Sequence, residues 1–384
     1  NRARASDIHI EPSGPSRETS IRFRVDGTCV EYQKIPASLR NPLVARLKIM
    51  ANLDIAERRR PQDGKIKVRC QDSADIELRV VTIPTVGANE DVVLRLLGSA
   101  GPLPLDRLAL SERNLRELRR LSEKPYGVIL CVGPTGSGKT TTLHGVLGHI
   151  NTTERKIWTA EDPVEITQPG LRQVQVRSKI GFTFAEALRS FLRADPDVIM
   201  VGEIRDGETA QIAVEAGLTG HLVFSTLHTN SAPETVVRLL DLGISPFNFA
   251  DALLGILAQR LVKRVCDACA TAYHPAPDDW AELARVYGEE GSDLLSAAPE
   301  PDQELRRGKG CESCIGTGYR GRMAIHELLI CSDTIKRLIL TRAPVSEILG
   351  QARTEGMATI VQDGVRKVLQ GLTTIEQVRI SALR

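Results

Sequence analysis

Residues 126–143 read YGVILCVGPTGSGKTTTL. Val128–Val132 is a short apolar run bounded by glycine, which is how a strand buried on both faces looks. Gly133-Pro-Thr-Gly-Ser-Gly-Lys-Thr140 follows and fits the pattern G-x-x-x-x-G-K-[ST]. From Lys139 to about Ile150 the pattern is helical. Strand, glycine loop and helix form the context that phosphate binding requires. The glycines let backbone N–H groups turn inward around phosphate oxygens, and the helix N-terminus adds partial positive charge. Gly133, Pro134, Thr135, Gly136, Ser137, Gly138, Lys139, Thr140 and Thr141 are therefore the candidate nucleotide-binding residues. Lys139 can reach the β- and γ-phosphates and Thr140 can ligate Mg2+, so ATP and Mg2+ are the expected ligands.

Downstream, Lys156–Ala160, Val198–Val201 and Leu222–Ser225 repeat the short apolar run, with helical patterns between them. That alternation predicts a parallel sheet covered on both faces. Asp197-Val-Ile-Met-Val-Gly-Glu203 ends in an acid past its strand, and Glu203 is the candidate for orienting or deprotonating the attacking water. In Thr159–Glu165 (TAEDPVE), Glu161 and Asp162 precede Pro163, which predicts an extended, exposed bend suited to water on Mg2+. His221 and His228 flank Leu222–Ser225. A histidine at a strand end can sense a γ-phosphate by hydrogen bonding, although either residue alone reads equally well as a structural histidine.

Upstream, residues 1–97 read as a mixed α/β unit. Thr19–Val25 and Thr28–Tyr32 form a hairpin across Asp26–Gly27, Pro42–Ile55 suits a helix, and Ile66–Arg69, Asp75–Thr82 and Asp91–Leu97 suit strands. Gly98–Leu105 (GSAGPLPL) reads as a linker, and Ser111 can cap a helix running to about Ser122. The first half is also rich in arginine: Arg22, Arg24, Arg46, Arg58, Arg59, Arg60, Arg79 and Arg95.

The 384 residues suit two or three folded domains, with 42% hydrophobic and 26% charged residues. A net charge of +2 and 4% aromatic residues leave neither a global basic field nor many stacking platforms, so direct nucleic-acid binding is not expected. No apolar run approaches the ~18 residues that span a bilayer. The chain opens on Asn1 and is expected to be a fragment of a longer protein. Of eight cysteines, Cys29, Cys70, Cys131 and Cys331 are isolated and read as small buried apolar residues. Cys266-x-x-Cys269 and Cys311-x-x-Cys314 can each give two thiolates to one tetrahedral, structural Zn2+. The intervening 276–305 reads as a surface helix and loop. Short helices are expected over Asp333–Leu340, Val345–Arg353, Ile360–Gln370 and Thr374–Leu383.

Together these motifs resemble the secretion ATPase superfamily, the assembly ATPases of type II secretion systems and type IV pili. Ser6–Pro12 (SDIHIEP), Arg22–Gly27 (RFRVDG), Leu53–Glu57 (LDIAE) and Pro61–Gly64 (PQDG) are similar to that family's smaller N-terminal domain. Gly133–Thr142 resembles its Walker A loop and Thr159–Glu165 its aspartate box. Leu188–Asp206, with Arg189, Arg193 and Arg205, resembles its Walker B region, and Gly217–Asn230 its histidine box.

The resemblance implies an α/β fold: a PAS-like N-terminal domain plus a RecA-like P-loop ATPase core with a zinc-binding insertion and C-terminal helices. The implied parts are 1–97, a linker at 98–106, the core at 107–265, the tetracysteine subdomain at 266–326 and helices at 327–384. Six copies would form a cytoplasmic ring, peripheral at the inner face of the bacterial inner membrane. ATP would bind between the two domains, with Arg79 and Arg95 where the family places its arginine fingers. The partners would be an inner-membrane platform protein and the cytoplasmic domain of a membrane anchor protein. The output would be addition of pilin or pseudopilin subunits to a filament, since assembly and secretion members carry the tetracysteine and retraction ATPases generally lack it. Against that family pattern, the chain is expected to lack the further N-terminal docking domain and to carry a longer stretch between the cysteine pairs than is usual for secretion members. The competing readings are a nucleic-acid-translocating or DNA-uptake-associated ATPase, a nucleotide-gated adaptor and a zinc-stapled interaction module.

Overall fold

The computed structural model describes residues 5–12, 18–70, 73–97, 101–288 and 304–382. The chain divides into two compact units, Asn1–Gly101 and Pro102–Arg384. The expected linker residues 98–100, the part of the 276–305 insert at 289–303 and the side chain of Cys70 lie outside the described residues.

The first unit runs β1 (Asp7–Pro12), β2 (Thr19–Val25), β3 (Thr28–Ile35), α1 (Ala37–Met50), β4 (Gln62–Cys70), β5 (Ser73–Thr85) and β6 (Asn89–Leu97). The strands form one antiparallel sheet in the order β3-β2-β1-β6-β5-β4. Asp26 and Gly27 both take positive φ (47° and 83°), as a two-residue hairpin turn matched to strand twist requires. Ile10, Ile66, Val80, Val92 and Leu94 cover one face of the sheet and pack with Val44 of α1. The helix expected over Pro42–Ile55 lies earlier. Pro42 sits inside it, and Asn52 at φ 56° stops it, because asparagine tolerates the left-handed conformation that ends a helix.

The second unit begins with α2 (Glu112–Ser122), whose first turn is capped by Ser111 Oγ accepting from Asn114 N. There follow β7 (Gly127–Val132), α3 (Lys139–Ile150), β8 (Ile157–Glu161), β9 (Leu171–Gln175), α4 (Phe184–Phe191), β10 (Val198–Val201), α5 (Gly207–Leu218), β11 (Leu222–Leu227), α6 (Ala232–Asp241), α7 (Pro246–Ala252) and β12 (Leu253–Val265). Then come β13 (Ala270–Tyr273), α8 (Pro277–Tyr287), β14 (Leu305–Gly308), β15 (Tyr319–Ile330), α9 (Asp333–Leu340), α10 (Val345–Thr354), α11 (Ile360–Leu369) and α12 (Ile375–Ala382). The main sheet has the order β15-β12-β7-β11-β10-β8-β9, all parallel except β15 against β12.

β7 is buried along its whole length, and its alternate side chains enter two different cores. Ile129 and Cys131 pack with Leu143, Val146 and Leu147 of α3. Val128, Leu130 and Val132 pack on the other face with residues of α4 to α7 and the C-terminal helices. A parallel sheet covered this way leaves its functional loops at the carboxyl ends of its strands. The sequence reading assigns no strand to β1, β9, β12, β13, β14 or β15. β12 and β15 pair over residues 253–265 and 319–330 and extend the sheet beyond β7, and β15 runs through the expected boundary at 326/327. Cys131 is buried, whereas Cys29 and Cys331 are only half-buried. Among the described residues no helix is long and apolar enough to cross a membrane.

Candidate nucleotide site and metal centre

The loop after β7 is shaped by three left-handed glycines, Gly133 (φ 146°), Gly136 (φ 79°) and Gly138 (φ 90°). At Gly133 a Cβ would lie 2.4 Å from the Gln259 carbonyl and 2.7 Å from Ser137 Oγ, so no side chain fits there. Lys139 opens α3 and folds back, donating to the carbonyls of Gly133 (2.7 Å) and Pro134 (3.2 Å). Burial pushes its ammonium below the ordinary lysine range, partly offset by Cys131 and by the charge of Glu203. Gln259 of β12, fully buried, donates from Nε2 to the Ser137 carbonyl at 2.6 Å and accepts from Cys131 Sγ at 3.3 Å. Gln259 thus braces the loop from the neighbouring strand. No sequence motif marks it, because β12 itself was not foreseen.

Glu203 follows β10 at the same sheet edge. Its carboxylate is bonded to Arg205 and lies 3.4 Å from His228 Nε2, just past β11. Arg205 Nη2 is also 3.7 Å from Asp162 Oδ2, and its guanidinium lies 5.9 Å from the Phe184 ring centre. Partial burial pushes the Glu203 carboxyl up, but the Arg205 hydrogen bond and charge and nearby His228 outweigh it and hold it below the usual range. Gly202 makes this approach possible: its N–H donates to the Ala160 carbonyl at 2.8 Å, and a Cβ there would meet that oxygen at 3.1 Å.

Two expectations need correction. Glu161 is not in an exposed bend. As the last residue of β8 it turns inward and is 2% exposed, while Asp162 is exposed. Its Oε1 accepts from Thr159 Oγ1 (2.7 Å) and Gln173 Nε2 (2.9 Å), and its Oε2 faces His144 Nε2 at 3.2 Å. Burial pushes the Glu161 carboxyl up, but these hydrogen bonds hold it below the usual range. His221 is not brought to the site. It precedes β11, whose Leu222 pairs with Gly127 at the start of β7, so the strand's length of ~20 Å separates it from the loop after Val132. Its Nδ1 faces the Ala216 carbonyl at 3.2 Å.

In the first unit, Arg79 and Arg95 are directly paired across β5 and β6, and Asp7 and Lys65 extend the same row. Cross-strand partners share a face, and alternation places this row opposite the side packed on α1. Arg95 Nε donates to Asp7 Oδ1 at 2.8 Å.

Cys266, Cys269, Cys311 and Cys314 converge, all four sulfurs lying within 4.8 Å of one another. The separations Cys266–Cys311, Cys269–Cys314 and Cys311–Cys314 are 3.9, 3.8 and 3.7 Å. Zinc–thiolate bonds of about 2.3 Å in a tetrahedron place sulfurs about 3.8 Å apart, so the donor set fits one zinc ion. A disulfide, at ~2.05 Å, is far shorter. Backbone N–H groups of Cys311 (3.1 Å) and Gly318 (3.2 Å) point at Cys314 Sγ and favour its thiolate. Gly308 and Gly318 cross so closely that a Cβ on Gly308 would lie 2.0 Å from the Gly318 carbonyl.

A family model described as "Type II/IV secretion system protein" matches residues 1–380. The chain is 46% identical over 375 residues to the type IV pilus assembly ATPase PilB of Thermus thermophilus, covering 97% of this chain and 41% of that protein. It is 47% identical over 378 residues to type II secretion system protein E of Pseudomonas aeruginosa, covering 98% of this chain and 72% of that protein. Among solved structures it is similar to the pilus retraction motor PilT with bound ADP, with a TM-score of 0.65 and 27% identity, over 98% of this chain and 92% of that one. The expected α/β fold with its P-loop core is borne out.

Proposed function

The chain belongs to the type II/IV secretion system protein family, and we propose that it is a motor ATPase that drives pilin or pseudopilin filament assembly. One observation carries this reading. At a single edge of one parallel sheet, the P-loop with Lys139 meets Glu203, which is held by Arg205 and faces His228. In the proposed mechanism the loop amides, Lys139 and Thr140 bind the phosphates and Mg2+. Glu203 orients and deprotonates the attacking water, and His228 hydrogen-bonds towards the γ-phosphate and reports its loss. Glu161, buried at the end of β8, would orient a water of the Mg2+ ion that Thr140 would hold. Arg79 and Arg95 supply positive charge to the transferring phosphoryl group and couple hydrolysis to movement of the first unit. Six copies form the ring, a zinc ion staples the tetracysteine, and an inner-membrane platform protein and a membrane anchor's cytoplasmic domain receive the motion at the cytoplasmic face.

The test is ATP hydrolysis measured against protein concentration, with Arg79→Ala as the comparison. Specific activity that rises with concentration and collapses in the variant means that the site is completed between subunits. Activity independent of concentration and unchanged in Arg79→Ala would remove the arginine fingers and the ring from the mechanism.

A further inference from the structure

The hydrogen bonds around His144 determine its tautomer, and with it a role in the nucleotide site. Gln168 Nε2 lies 2.8 Å from the backbone carbonyl of His144 and 2.9 Å from its Nδ1. A carbonyl oxygen only accepts, so the amide nitrogen of Gln168 is the donor in both contacts, and Nδ1 must accept. The single ring proton therefore sits on Nε2, which faces Glu161 Oε2 at 3.2 Å and donates to it. Gln168 is itself fixed, its own N–H donating to Gln173 Oε1 at 2.8 Å. Gln173 in turn donates from Nε2 to Glu161 Oε1 at 2.9 Å and to the Ile166 carbonyl at 2.8 Å. His144 is 0% exposed, Glu161 2% and Gln168 4%, while Gln173 is half-buried.

The placement matters more than the burial. His144 is four residues beyond Thr140 on α3, so the two share one helix face a turn apart. Glu161 closes β8, next to the exposed Asp162 that Arg205 approaches. Thr159 and Gln173 fill Glu161 Oε1, whereas among the described residues Oε2 takes one donor, His144, which leaves a lone pair for another. The imidazole thus ties the helix bearing the proposed Mg2+ hydroxyl to the carboxylate beside it.

We propose that His144 is a positioning residue. Its Nε2–H holds Glu161 in register with Thr140, so that Oε2 receives a water of the Mg2+–ATP complex. This rests on the ATPase reading above. A group that orients a metal-site carboxylate through a hydrogen bond typically governs metal affinity or turnover by about 10- to 100-fold. A merely space-filling histidine governs neither.

The experiment compares wild type with His144→Phe, which keeps the ring and loses both nitrogens, and His144→Gln, which offers an amide N–H near the Nε2 position. In wild type, histidine ring 1H–15N correlation spectra of the whole chain should show one ring with its proton on Nε2 and a protected, slowly exchanging N–H. His144→Phe should raise the Mg2+ concentration for half-maximal hydrolysis and lower kcat by about 10-fold or more. The KM for ATP should change little, since the P-loop is intact. His144→Gln should recover much of the loss. A proton on Nδ1, or a His144→Phe variant with wild-type Mg2+ dependence and kcat, would overturn the proposal. A wild-type chain that binds Mg2+–ATP without turning it over would sink the ATPase reading instead. The tautomer and the Mg2+ dependence of nucleotide binding would still decide the role of His144. If His144→Phe fails to fold, His144→Gln and the wild-type spectrum carry the test.

Discussion

His228 Nε2 lies 3.4 Å from Glu203 Oε2, although the two residues follow different strands and are far apart in sequence. Parallel pairing of β10 with β11 delivers both to one edge: Val201 is opposite Ser225, Glu203 follows two residues past β10, and His228 follows directly on β11. Under the proposed function, this contact sets the base beside the phosphate sensor. Glu203→Gln keeps the shape and removes the basic oxygen. The expected outcome is ATP binding close to wild type with turnover reduced by about 100-fold or more. Filter binding alongside single-turnover hydrolysis checks it, and unaltered turnover would assign the water to another group.

Arg205 sets the protonation of Glu203, and this gives a signed pH effect. The folded-state carboxyl lies below its ordinary value of 4.5, because the Arg205 and His228 contributions exceed the effect of burial. A depressed carboxylate contributes stability that is present above its unfolded pKa and lost as pH falls through its folded pKa. Wild-type Glu203 therefore stays ionised throughout the neutral range. In Arg205→Ala the burial effect remains while the largest opposing effect is gone, so the acidic limb of the kcat–pH profile should move to higher pH. A profile that keeps its acidic limb, or moves it lower, would contradict this account of the Glu203 charge.

Gln259→Ala tests the brace from β12. The Ser137 carbonyl would lose a buried donor at 2.6 Å, and the space left is close to Gly133 and Gly138. Leaving such an acceptor unpaired costs about 1–3 kcal/mol. The expected result is a lower Tm together with weaker ATP binding, because the strained glycine loop loses its outer support. Addition of ATP should recover part of the Tm. A variant with a lowered Tm and intact ATP affinity would make Gln259 a core residue only.

Some of this was legible in the sequence and some was not. The bounds Lys139–Ile150 and Val198–Val201 were readable because glycine, a charged helix start and short apolar runs each signal locally. Leu253–Val265 (LLGILAQRLVKRV) has the leucine, alanine, glutamine and basic residues of a helix, and only pairing with β7 and β15 makes it a strand. Gln259 was hidden with it. His221 and His228 looked equivalent because both flank a strand, but a parallel sheet has one functional edge. Glu161 looked exposed because it lies two residues before Pro163. Its inward-facing carboxylate is met by Thr159, Gln173 and His144, partners from β8, β9 and α3 that no local pattern marks.

The tetracysteine makes the last prediction. The sulfur separations of 3.7–3.9 Å suit zinc, and the four cysteines join the two turns that flank the β13–β14 ribbon. Cys266 N donates to the Gly318 carbonyl at 3.0 Å and Lys309 N to the Cys269 carbonyl at 3.1 Å, while β13 and β14 form a separate two-stranded ribbon. A two-stranded ribbon is marginal by itself, so the metal should supply much of the local stability. Elemental analysis should return about one zinc per chain. Cys311→Ser, or a strong chelator, should remove it and speed amide exchange and proteolysis across 266–273 and 305–320. Exchange in β7, β10 and β11 should change little, because those strands lie in the cores of the main sheet. If the metal-free chain protects 266–273 and 305–320 as well as the untreated protein does, the cysteines contribute by packing alone and zinc has no structural role.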